Sequence, residues 1–339
     1  MSLPEIWFFV ITFLFTGYFL LEGFDFGVGM LFPILGRTDE RRRVLLNTIG
    51  PVWDGNEVWL ITAGGAMFSA FPEWYATLFS GFYLPLLLIV LALILRVVAI
   101  EWRGKIDDPT WRARCDLGIM IGSWIPAFLW GVAFANIVRG VAINHEKQVT
   151  SGLFDLLNPY ALLGGAAMVA LFLLHGTVFV ALKTGGSVRQ DAVRLARTIA
   201  LPVSGIAGFF VLWTQLAHGK AWTWWLVVVI AAALAGVVAL TGLAREGWAF
   251  VLTSIAVIAA VVLLFASLYP NVLPSTTNVA NSLTIANASS TTYTLRVMSW
   301  AAALTAPVVL IYQGWTYWVF RQRLSVDHIP ASIGLPIRR

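Results

Sequence analysis

The sequence predicts an all-α integral membrane protein that crosses the bilayer about nine times. Three observations predict it. Of 339 residues, 59% are hydrophobic and only 12% charged, with a mean hydropathy of +0.82; soluble chains are nearer half apolar and a quarter charged. Nine stretches are apolar over about the 20 residues that a helix needs to cross the hydrocarbon core. The basic residues are sorted by loop. The apolar runs are long and continuous, which implies helices; barrel strands would alternate over ~10 residues.

The first run, about 6–35, exceeds the length of one span, so it must tilt or protrude. It has no basic leader and carries acids near its end, so it is expected to be a retained span and not a cleaved signal. The next runs are about 52–70, 75–100, 116–138 and 158–182. The last four are about 198–217, 222–242, 248–268 and 295–319. Very short loops at 218–221 and 243–247 join the sixth, seventh and eighth. Residues 270–294 carry no charge and are rich in Asn, Ser and Thr, which favour turns and caps. This segment reads either as a simple extramembrane loop or as a cover packed over the protein's outer face or a partner. No remaining stretch accommodates a soluble domain, so 1–339 is read as a single polytopic transmembrane domain.

Loop charge orients the chain. With nine spans, Arg37, Arg41, Arg42, Arg43, Arg103, Lys105, Arg112, Arg114, Lys183, Arg189, Arg194, Arg197, Arg245, Arg321, Arg323, Arg338 and Arg339 fall on one side. Arg139, Lys147, Lys220 and Arg296 fall on the other, a bias of 17 to 4. Basic loops stay cytoplasmic, so the N-terminus is expected outside and the C-terminus in the cytoplasm. The net charge of +5 therefore serves topology. No P-loop, dinucleotide fingerprint or nucleic-acid module is present, and the single Cys115 can form neither an internal disulfide nor a Cys-rich metal site.

Ionisable groups inside spans are costly and mark function by default. Here they concentrate in the first third of the chain: Glu22, Asp25, Asp54, Glu57 and Arg96. Asp25 and Asp54 are each expected about 15 Å from the adjoining ends of two antiparallel neighbouring helices. Glu22 and Glu57 each lie three residues further outward, on the same helix face as their aspartate. The pattern predicts a two-rung ladder of four carboxylates. Four acids in low dielectric cannot all ionise cheaply, so they share protons as a coupled set. That suits a proton path, with Arg96 as charge partner; a buried network that only fixes packing is the competing reading. Gly23, Gly27, Gly29, Gly55, Gly64 and Gly65 flank the acids and allow close helix approach. His175 is the one histidine inside a span. It reads first as a polar packing residue, and second as a cofactor ligand or quinone contact. One such histidine cannot ligate several intramembrane haems.

Several strings carry a resemblance. Gly23-Phe24-Asp25-Phe26-Gly27-Val28-Gly29 is similar to the first-helix signature of subunit II of the cytochrome bd quinol oxidases. Trp53-Asp54-Gly55-Asn56-Glu57-Val58-Trp59 and the following LITAGGAMFSAFPEWYATLFSGFY resemble that family's second and third helices, and Arg96 its late third-helix arginine. Gly131-Val132-Ala133-Phe134-Ala135-Asn136, Leu157-Asn158-Pro159 and PSTTNVANSLTIANASS match further regions. The resemblance runs from about 17 to 318.

It implies two four-helix bundles plus one additional helix, and a heterodimer with a structurally similar subunit I that holds haems b and d and the main quinol site. The complex would oxidise quinol, reduce dioxygen to water and take protons from the cytoplasm of a bacterial cell. No residue of this chain is then catalytic. The resemblance assigns Asp54 to a proton route toward those haems, and Glu22, Asp25 and Glu57 less directly. Some members hold a structural quinone in this subunit, not assignable here to residues, and some carry small single-helix subunits. Others have long insertions where this chain has its two shortest loops. A stand-alone proton-coupled transporter would also explain the acids, but paired discontinuous helices are not seen.

Overall fold

The computed structural model describes residues 1–330, 334 and 335; Arg338 and Arg339, counted above with the basic tail, lie outside the described residues. The helices are α1 (Leu3–Met30), α2 (Phe32–Leu35), α3 (Asp39–Ile49), α4 (Trp53–Ala70), α5 (Pro72–Gly81), α6 (Tyr83–Trp102) and α7 (Pro109–Arg139). They continue with α8 (Pro159–Lys183), α9 (Gly186–Ala217), α10 (Trp224–Gly242), α11 (Glu246–Leu268), α12 (Ile285–Ala288) and α13 (Thr292–Val319). Two short strands, β1 (Asn271–Leu273) and β2 (Leu283–Thr284), pair antiparallel.

Local chemistry sets the helix starts. Ser2 caps α1 in a box with Glu5, Asp108 caps α7, and Asn158 caps α8. In each a proline sits in the first turn, where its missing N–H costs nothing.

Among the described residues, eight helices are long and apolar enough to span a bilayer. The expected second span is α4, with 18 residues and a length of about 27 Å, just short of a ~30 Å core. Its first turns hold Asp54, Asn56 and Glu57, so a ninth complete span is not established. The expected third span is broken at Phe82 into α5 and α6. The first span ends at Met30, followed by the single turn of α2.

The predicted bundles are present. In the second, α8, α9, α10 and α11 pack in a closed ring. The first is built from α1, α4, α6 and α7, and α1 also packs on α8 and α11, joining the two. An aromatic cluster fills the junction: Phe15, Phe19, Trp130, Phe134 and Phe265 meet with centroids 5.1–6.4 Å apart. Edge-to-face pairs of this kind contribute about 0.5–1.5 kcal/mol each beyond area. The helix α13 stands apart on α1 and α4, with Leu295 its one fully buried residue.

Gly27 and Gly176 let α1 and α8 touch backbone to backbone. A methyl group on Gly27 would lie 2.7 Å from the Gly176 Cα and meet the Phe172 carbonyl oxygen. Neither obstacle is a side chain that can rotate away. Gly27→Ala is expected to destabilise the protein by about 1–3 kcal/mol, read as a lower unfolding temperature. Gly205→Ala, where nothing lies within 4 Å, should cause no loss.

The uncharged 270–294 segment covers the protein's own face. Asn281 Nδ2 and Thr277 Oγ1 donate to the Ile143 carbonyl at 2.8 and 3.0 Å, and the Ser290 N–H donates to the Ala70 carbonyl at 2.8 Å. Its Asn, Ser and Thr side chains thus tie backbone polar groups that no regular element satisfies.

The arginine-rich face holds a second surprise. The first loop folds as α3, and two of its four arginines are paired with acids. Arg41 bonds Asp191 at 2.6 Å, Arg42 bonds Asp116 at 2.8 Å, and Arg103 bonds both Asp116 and Asp39 at 2.5 and 2.8 Å. Burial disfavours the Arg103 cation, but its bonds to Asp116 and Asp39 outweigh that and hold it above the usual arginine value. Arginines read as topology signals therefore also lash α3 to α7 and α9.

Candidate functional site

Acids from α1 and α4 converge on one arginine of α6. Arg96 is fully buried, at 0% exposure. Its Nη1 donates to Glu22 Oε1 and, at 2.9 Å, to Glu57 Oε1. The guanidinium carbon lies 4.9 Å from the centroid of the Phe26 ring, so an aromatic face adds to its stabilisation. Gly122 of α7 packs directly on Arg96, where a methyl group would lie 2.6 Å from the Ala92 carbonyl oxygen. The absence of a side chain there lets α7 seal the arginine from lipid.

Asp25 lies one turn along α1 from Glu22 and is equally buried. Asn56 Nδ2 donates to Asp25 Oδ2 at 2.7 Å. The Asn56 amide oxygen accepts from the Tyr317 hydroxyl at 2.7 Å and from Gln313 Nε2 at 3.3 Å. Gln313 Oε1 in turn accepts from Trp59 Nε1 at 2.8 Å. With two donors on its oxygen, Asn56 must present its NH2 group to Asp25. This polar bridge fastens the otherwise exposed α13 to α4.

Glu22 Oε2, Asp25 Oδ1, Arg96 Nε and Arg96 Nη2 are buried with no hydrogen-bond partner among the described residues. An unpaired buried polar atom costs about 1–3 kcal/mol, so such a cluster at one centre is unusual for a purely structural network.

The expected ladder is corrected in two respects. Asp54 does not join it: the residue is exposed on α4. Successive helical residues turn by about 100°, so with Asn56 facing α1, Asp54 points away and Glu57 sits on the flank. The expected depths also change. The loop arginines belong to α3, which ends at Ile49, so Asp54 is only the second residue of α4; Asp25 is five residues from the end of α1. Glu22, Asp25, Glu57 and Arg96 are brought together as expected.

His175 is fully buried in α8. Its Nδ1 is 2.8 Å from Thr253 Oγ1, its Nε2 3.2 Å from the Leu20 carbonyl, and its ring stacks on Phe250 at 4.8 Å. Both nitrogens are engaged by the protein, an arrangement that suits the packing reading.

Asn56, Gln313 and Tyr317 were not singled out from sequence. The signal was available: Gln313 and Tyr317 lie four residues apart on one helix face in an apolar span. A separate cavity of about 530 Å³ opens between α1, α4, α5, α6, α7 and α11, lined by Phe15, Met67, Trp74, Trp130, Phe134 and Phe265 among others. Trp74 Nε1 there is buried without a partner among the described residues.

Comparison with known proteins follows the same lines. The model of the family described as cytochrome bd terminal oxidase subunit II matches residues 3–320. A cytochrome bd ubiquinol oxidase subunit 2 of Bacillus subtilis (strain 168) is 41% identical over 330 residues, covering 96% of this chain and 97% of that protein. The cytochrome bd-I ubiquinol oxidase subunit 2 of Escherichia coli (strain K12) is 34% identical over 362 residues, 96% of each. Among solved structures, a chain of the bd oxidase from Geobacillus thermodenitrificans superposes with a TM-score of 0.77 at 20% identity, covering 94% of this chain and 99% of that one. At that identity the superposition bears on the fold.

Proposed function

Because the chain belongs to the cytochrome bd terminal oxidase subunit II family, we propose that its buried acids carry protons toward the oxygen-reduction site of a partner subunit. The chain is a multi-pass membrane subunit of a bd-type quinol oxidase and acts as an oxidoreductase within that complex, beside a subunit I. Haem and quinol chemistry belong to the complex.

The observation that carries the proton reading is the convergence of Glu22, Glu57 and Asp25 around one buried Arg96. The unpartnered oxygens of Glu22 and Asp25 keep bonding capacity for water, which a relay requires. Asp54 supports the same direction from outside. A carboxylate on a membrane helix avoids lipid, and Gly55, Gly64 and Gly65 of α4 have nothing within 4 Å of the position of a side chain. Small residues beside a charge suit a second helix, and Gly65 lies on the same side of α4 as Asp54, so this side is the one we read as offered to subunit I, with Asp54 handing protons across.

We read haems b and d as held by subunit I; the engagement of both His175 nitrogens within this chain supports that reading. The 530 Å³ cavity fits an apolar quinone, with the Nε1–H groups of Trp74 and Trp130, both buried without a partner among the described residues, as donors for its carbonyls; a bound quinone would supply structure, not a proton step. The 17-to-4 charge bias, counted with α4 as a crossing, supports an N-terminus outside and a C-terminus inside; the bacterial relatives support a bacterial cytoplasmic membrane, and the whole chain is read as one transmembrane domain. Small single-helix subunits would bind elsewhere than the two shortest loops.

The test is purification of the tagged chain followed by a visible spectrum. Haem bands accompanying a second large subunit are expected. A colourless single chain that transports a substrate with protons would contradict the reading.

A further inference from the structure

A cavity of about 1070 Å³ opens at the arginine-rich face. It lies between α1, the link from α3 to α4, the end of α8, the start of α11 and the residues that follow α13. Its inner wall is apolar, formed by Leu21, Phe24, Phe179, Leu182 and Phe250. Its mouth carries Lys183, Arg321 and Arg323, and no acidic residue lines it among the described residues.

Those cations differ from the ion-paired arginines of the same face. On the same face Arg41, Arg42, Arg103, Arg112 and Arg189 each bond a carboxylate. Lys183 instead donates to the carbonyls of Phe320 and Gln322. Arg321 donates to the Trp318 carbonyl at 2.6 Å and lies over the Trp318 ring. Neither these two nor Arg323 forms an ion pair among the described residues. The residues 320–324 are thereby folded back over the cavity, with three uncompensated cations at the edge of an apolar pocket.

We propose that this cavity binds an anionic phospholipid, with its phosphate held by Lys183, Arg321 and Arg323 and an acyl chain lying along Phe24, Phe179, Leu182 and Phe250. A basic pocket between transmembrane helices at this level suits such a headgroup, and cation–phosphate hydrogen bonds are charge-assisted. A quinone, by contrast, is neutral and gives three cations no counter-charge. The inference rests on the chain spanning a membrane and is independent of the proton reading.

The assay uses the detergent-purified complex, delipidated and titrated with fluorescent phosphatidylglycerol and, separately, phosphatidylcholine. Each cation near the surface contributes roughly fivefold. The triple variant Lys183→Gln, Arg321→Gln, Arg323→Gln is therefore expected to bind phosphatidylglycerol on the order of 100-fold more weakly, with haem spectrum and oxygen consumption retained. Arg323→Gln alone, whose side chain makes no bond among the described residues, should lose roughly fivefold, and Arg323→Lys should keep affinity. Equal affinity for phosphatidylcholine, unchanged binding by Arg323→Gln, or displacement of the lipid by millimolar inorganic phosphate would overturn the proposal. So would the finding that a quinone or a segment of subunit I fills the cavity.

Discussion

Replacing Arg96 with leucine is expected to prevent accumulation of the assembled complex. The substitution leaves Glu22, at 0% exposure, without its counter-charge, and Glu57 loses its bond as well. Removing one partner of a buried pair costs about 3–5 kcal/mol, a large share of the ~5–15 kcal/mol that holds a typical protein folded. The measurement is haem absorbance per unit of membrane protein. The double variant Arg96→Leu, Glu22→Leu should recover much of the assembly, because an apolar pair of similar volume is often neutral in place of a buried ion pair. Wild-type levels in the single variant would show that Arg96 does not anchor the acids.

Replacing Asp25 with asparagine is expected to have the opposite profile: normal assembly and a large loss of turnover. Asparagine keeps the size of Asp25 and an oxygen to accept from Asn56 Nδ2, which now stands at 2.7 Å. It cannot take up and release a proton. General acid–base steps are worth about 10²–10⁴-fold, so quinol-driven oxygen consumption should fall within that range. Asp54→Asn, at an exposed position, should likewise lower turnover while leaving stability alone.

Much of this was legible in the sequence because the bilayer is a demanding solvent. It forces long apolar helices and makes each buried charge conspicuous, so Glu22, Asp25, Glu57 and Arg96 stood out before any coordinates. The rotation of α4 was not legible. Three-residue spacing puts Asp54 and Glu57 on a shared flank, but whether that flank or Asn56 faces α1 depends on packing. The depth of the acids was misjudged because Asp39–Ile49 forms a separate helix, α3, ended by Gly50 and Pro51. Its arginines looked like topology markers, since the aspartates that pair with Arg41 and Arg42 are 150 and 74 residues away. Gln313 and Tyr317 were hidden by their distance from Asn56, 257 and 261 residues along the chain.

The central claim is that the cluster around Arg96 moves protons, and its most direct test is proton uptake during a single turnover. Fully reduced, haem-loaded Asp25→Asn complex is mixed with oxygen, and uptake is followed with a pH-sensitive dye alongside the haem absorbance. The account predicts normal oxygen binding, followed by proton uptake slowed by about 10²-fold or more. Proton uptake at the wild-type rate, in a complex with wild-type haem content, would contradict it.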